Sequence, residues 1–97
     1  MSNYEVEIRQ IVPFQSEGCA RANVIFRIGP LMVRGAKIFE KGEERWLSMP
    51  ARRTKNGRWM DVIQFVSPQD KERLQRAVLD QYDQVLKNRL NLLEIPF

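Results

Sequence analysis

The hydrophobic pattern of this chain changes period once, at Ser67. Before that point apolar residues alternate with polar ones, as in half-buried strands; after it they recur at three- and four-residue spacings, as on a helix lying against a surface. Several strand-like runs followed by one helix, without β-α-β alternation, point to an α+β domain. The expected architecture is a twisted, mainly antiparallel sheet of about five strands with a C-terminal helix packed on one face. One helix covers one face of a sheet. The other face and the sheet edges must then be polar, paired with another subunit, or used for binding.

The strands follow from the alternation. In "YEVEIRQIV", Tyr4, Val6 and Ile8 share one side and Glu5, Glu7 and Arg9 the other. "PFQSEG" breaks the pattern as a loop. "ARANVIFRI" places Ala20, Ala22, Val24, Phe26 and Ile28 on one face, and Gly29-Pro30 turns the chain into "LMVRGAKIFE", where Gly35 marks a bend or bulge at a crowded position. Gly42 centres the next connection, and "RWLSM" is a short fourth strand stopped by Pro50. Asn56-Gly57 predicts a type I′ hairpin, and "RWMDVIQFV" returns as the fifth strand. Ser67, Pro68 and Asp70 form a helix start, and Leu74, Ala77, Val78, Val85 and Leu86 its apolar stripe. The helix is expected to fray near Asn88. Leu90, Leu92, Leu93, Ile95 and Phe97 then make an apolar tail expected to pack on the domain or on a partner subunit.

A chain of 97 residues suits one domain over residues 1–97. At this size only roughly 60–65% of the unfolded surface is buried, so an open sheet edge favours self-association. Cys19 is the sole cysteine and histidine is absent, which rules out an internal disulfide, a Cys/His zinc site within one chain and a histidine-based triad. Glu43-Glu44 and Asp80 with Asp83 offer carboxylates but no positioned nucleophile, so no enzyme activity, cofactor or small-molecule substrate is expected. No signal-like start or membrane-length apolar run occurs, and a cytoplasmic, non-membrane setting is expected.

Charge carries the functional argument. The net charge is +4, yet from Arg45 to Met60 there are five basic residues and no acid, leaving 11 basic and 12 acidic residues elsewhere. Arg52, Arg53, Lys55 and Arg58 surround the turn, where guanidinium forks reach phosphates bidentately and a lysine acts as a mobile point charge. Trp46 and Trp59 flank the cluster. Both are expected in the core, since large aromatics mostly bury; the competing use of their faces is stacking on unpaired bases. Arg21, Arg27 and Arg34 would form a second basic strip on the uncovered face if Gly29-Pro30 sets a simple register.

"SMPARRTKNGRWMD" followed by "AVLDQYDQVL" resembles the SpoVG (stage V sporulation protein G) family. Its core pattern M-P-[SA]-[KR]-R-T-x-[DN]-G-x-[FW]-x-D-[IV] is met by Met49 through Thr54, Asn56, Gly57, Trp59, Asp61 and Val62, and its A-V-L-x-x-Y helix by Ala77, Val78, Leu79 and Tyr82. The likeness covers most of residues 5–86. It implies a small bacterial cytoplasmic homodimer, joined through sheet edges, that binds DNA and/or RNA and regulates gene expression, septation or sporulation. It places Arg52, Arg53 and Thr54 on the family's basic loop. Lys55 stands where the family often has proline, Gln64-Phe65 replaces a His-Pro-like pair, and the apolar tail replaces an acidic one. The alternative is a division-linked interaction module whose basic hairpin meets an acidic protein.

Overall fold

In the computed structural model, which describes residues 5–94 and side chains as far as residue 89, six strands precede one helix. Strands β1 (Val6–Pro13), β2 (Ala20–Ile28), β3 (Leu31–Lys41) and β4 (Glu44–Ser48) form an antiparallel meander in chain order. Strands β5 (Ala51–Arg53) and β6 (Trp59–Asp61) form a separate two-stranded hairpin. The expected fifth strand is therefore shorter and stands outside the main sheet. Val62, still exposed, donates its N–H to the Pro50 carbonyl at 2.8 Å, and beyond it the chain turns inward so that Ile63 and Phe65 pack against the core.

Alternation holds along the centre of the sheet: Ala22, Val24 and Phe26 of β2 face Val33, Ala36 and Ile38 of β3, and Leu47 of β4 joins them, all buried. Bulges interrupt it. Arg9 is the extra residue that hands the inward face from Ile8 to Ile11, and Arg21 is extra opposite Ile38 and Phe39. At the third bulge Arg34 and Gly35 together oppose Ile25. A Cβ on Gly35 would sit 3.6 Å from Pro50 Cβ, an ordinary contact, so crowding does not demand glycine there; its φ of +95° does.

Helix α1 (Pro68–Glu94) starts where Ser67 lends its carbonyl to the Asp70 and Lys71 amides at 3.2 and 3.3 Å. Leu74, Val78 and Tyr82, each one turn apart, bury on the sheet, with Leu79, Val85 and Leu86 half-buried beside them. Ala77 faces solvent instead, and Tyr82 supplies the bulk on the buried stripe. The helix does not fray at Asn88. "KNRLNLLE" contains no residue that breaks a helix, and the first that does is Pro96. The expected packing of Leu90, Leu92, Leu93, Ile95 and Phe97 concerns side chains outside those described.

Two polar links tie the helix to β4. The Leu47 N–H, on the free edge of β4, donates to Gln75 Oε1 at 3.0 Å, and Arg45 grips Asp83 through bonds of 2.7 and 3.2 Å while lying 6.0 Å from the Tyr82 ring centroid. The Arg45 hydrogen bonds hold the Asp83 carboxyl below its ordinary value, and burial pushes the Tyr82 hydroxyl up. A depressed carboxyl stabilises the fold above its unfolded pKa, and that stabilisation is lost as pH falls through the lower folded value. With the Asp83 side chain 47% exposed, solvent screening limits the pair to about 1 kcal/mol. Asp83→Asn should therefore melt a few degrees below the parent at pH 7, and the gap should shrink as the pH falls below the ordinary carboxylate range and Asp83 takes up its proton. A gap that stays constant down to the acid limit of folding would mean the carboxylate charge is not its cause.

Candidate nucleic-acid interface

The hairpin begins at the core and ends in water. Met49 is buried, Pro50 rests beside the β3 bulge at Gly35, and from Ala51 onward every residue except Thr54 is exposed until Val62. Within the ribbon Ala51 pairs with Asp61, Arg52 with Met60, and Arg53 with Trp59. Cross-strand partners share a face and neighbours alternate. Arg53, Trp59, Ala51 and Asp61 thus lie on one face of the ribbon, and Arg52 and Met60 on the other.

The turn differs from the type I′ expectation. Gly57 N–H bonds the Thr54 carbonyl at 3.0 Å and Thr54 N–H bonds the Arg58 carbonyl at 2.7 Å, which closes a three-residue loop over Lys55, Asn56 and Gly57. Only Gly57 has positive φ, at +80°, whereas Asn56 does not. This is a type I turn followed by a left-handed glycine. The Arg58 N–H, left without a ladder partner, donates to Thr54 Oγ1 at 3.3 Å, so Thr54 braces the turn from within. Thr54, half-buried, braces the turn, while Arg52, Arg53, Lys55 and Arg58 stand exposed around it.

Arg52, Arg53, Lys55 and Arg58 are exposed, and none belongs to an ion pair among the described residues. Their one acidic neighbour on the ribbon is Asp61. Like charges this close repel in the free protein, and an anion that bridges them relieves the repulsion. Guanidinium groups on both faces of a narrow ribbon, with Lys55 at its tip, suit a line of phosphates.

The second candidate strip is not assembled. The bulge at Arg21 swings it to the helix side, where its guanidinium donates to the Gly18 carbonyl at 2.6 Å and lies near Tyr82, Leu86 and Arg89. Arg27 donates to the Gly29 carbonyl at 2.5 Å and sits 3.4 Å from both Glu5 and Glu7. Glu7 is held below its ordinary pKa, first by its hydrogen bond from Arg9 and then by that from Arg27. Arg34 is exposed in the β3 bulge.

Neither tryptophan is in the core. Trp46 is half-buried on the uncovered face, stacked on Phe39 across the β3–β4 ladder at 5.8 Å between centroids and 11° between planes. Trp59 is 72% exposed. Beside it, between ribbon and sheet, lies a cleft of about 500 Å³ lined by Gly35, Lys37, Phe39, Ser48, Met49, Ala51, Trp59 and Asp61. Alternation alone assigns Lys37 and Phe39 to the face opposite Ile38, but how the ribbon folds beside that face has no sequence signal. Among the described residues no cluster of three acidic or thiol side chains is placed to hold a metal ion.

The SpoVG family model matches residues 1–84. A Clostridium perfringens protein named "Putative septation protein SpoVG" is 31% identical over 87 residues, which cover 88% of this chain and 92% of that protein. An Archaeoglobus fulgidus protein of the same name is 34% identical over 82 residues, covering 80% and 95%. A third, from Clostridium kluyveri, is 29% identical over 91 residues, covering 93% and 91%.

Proposed function

This chain belongs to the SpoVG family, and from that premise we propose that it is a homodimeric, cytoplasmic regulator that binds DNA or RNA through the β5–β6 ribbon. The observation that carries the reading is the set of four exposed cations with no ion-pair partner on the ribbon, Arg52, Arg53, Lys55 and Arg58. A role in septation is taken from the name its relatives carry. The dimer is supported by the free edges of β1 and β4; β1 is the longer and exposes Val6 and Val12. Pairing an edge with that of a second copy satisfies its open N–H and C=O groups and presents two cationic ribbons to one nucleic acid.

The experiment is a titration of the protein with DNA and RNA at several salt concentrations, with sedimentation to fix the mass. A dimer at micromolar concentration is expected, with log K falling linearly with log salt at about 0.9 per phosphate contacted on duplex DNA. A monomeric mass would remove the dimer. Absence of nucleic-acid affinity at low salt would remove the binding and leave the ribbon to an acidic protein partner.

A further inference from the structure

Trp59 stands where a soluble domain gains nothing by leaving an indole in water, at the mouth of the cleft between the ribbon and the uncovered sheet face. Its cross-strand partner Arg53 shares its side of the ribbon, and Lys37 lines the opposite wall beside Phe39. Asp61 also lines the cleft. A carboxylate there repels a phosphate, so a nucleic-acid backbone stays at the rim, near Arg53 and Lys37, while a neutral base enters. The indole offers such a base a stacking face, and stacking tolerates any base because every base has a π-face. A base inside a duplex reaches a side cleft only by leaving its stack and its pair, which costs free energy that a single strand does not spend.

Resting on the nucleic-acid reading above, we propose that this cleft holds one unpaired base of a single strand, stacked on Trp59, with Arg53 and Lys37 engaging the flanking phosphates, so that the protein prefers single-stranded to duplex nucleic acid. The ribbon cations attract both forms. The cleft discriminates between them.

The test uses the full chain, a fluorescent single-stranded oligodeoxythymidine and a mixed-sequence duplex, at one salt concentration, with Trp59→Ala and Trp59→Phe variants. Trp59→Ala should weaken single-strand binding by about 5- to 150-fold, the range expected for one lost base stack, and duplex binding by less than about twofold. Trp59→Phe should restore most of the loss, because it keeps an aromatic face. Melting temperatures should stay within a few degrees of the parent's, since the side chain is largely in solvent. An equal loss on both probes, or none on either, with parent binding intact, would overturn the inference and leave the nucleic-acid reading standing. So would a dimer that dissociates in Trp59→Ala, since it would assign the indole to a subunit interface. A parent protein that binds neither probe at low salt would overturn both.

Discussion

Arg52→Ala combined with Arg53→Ala should lower affinity for DNA and RNA on the order of 30-fold near physiological salt, and lower it alike for every sequence tested. The figure follows from counterion release: two phosphate contacts per ribbon contribute about 1.8 to the slope of log K against log salt, which between 0.15 M and 1 M amounts to roughly one and a half decades. The slope itself should fall by up to about two per site. Both arginines are exposed, and neither caps an element nor pairs with an acid among the described residues. Stability should therefore change by no more than about 0.5 kcal/mol, and loss of like-charge repulsion with Lys55 and Arg58 works in the stabilising direction. A double variant that folds like the parent and binds with the parent's affinity and slope would move the interface away from the ribbon. Arg34, the exposed member of the second strip, would then be the next position to replace.

The ribbon was the most legible part of this molecule because its signals are local. A basic run without acids, a proline that stops a strand and an Asn-Gly pair are read within a dozen residues, and the structure places them on one ribbon, with Pro50 at its base and the Asn-Gly pair at its exposed tip. The turn type was less legible. Asn-Gly fits type I′ in a two-residue loop, but here the register pairs Arg53 with Trp59, and the longer loop needs positive φ only at Gly57. The central strands were legible for a related reason: in β2 and β3 the inward positions are Ala, Val, Phe and Ile at strict alternation between bulges.

What alternation cannot show is where a bulge falls. One extra residue leaves composition unchanged and shifts the face of what it touches. That is why Arg21, Arg27 and Arg34 look like a strip in sequence and are separated in space: the bulge at Arg21 moves it to the helix side, and Glu5 and Glu7, some twenty residues away in sequence, neutralise Arg27. The same limit applies to β6. "RWMDVIQFV" alternates well enough to suggest a strand, yet the chain turns inward after the exposed Val62 because Ile63 and Phe65 gain more from the core than from an isolated two-stranded ribbon. The helix end was misplaced at Asn88 for want of a stop signal before Pro96.

Aromatic placement is the strongest contrast between composition and structure, and it gives the largest stability effect. Burial is the usual fate of a large aromatic side chain, and Phe26 meets it: it is fully buried at the centre of the sheet, paired with Val33 on β3 and Ile8 on β1 and covered by the helix. Trp59 does not. Phe26→Ala removes the ring and leaves a cavity among β-branched neighbours fixed by the ladder, which cannot collapse to fill it, so a loss of about 3–5 kcal/mol is expected. For a domain of this size that corresponds to a melting temperature lower by more than about 12 °C, and it is a large share of the total stability of a typical small domain. Trp59→Ala, which deletes a larger side chain, should shift the melting temperature by only a few degrees. Thermal unfolding of the two variants beside the parent checks both halves. Comparable destabilisation by the two would mean that the indole is covered in solution, by the rest of the chain or by a second copy, and would remove Trp59 from the free surface on which the stacking site depends.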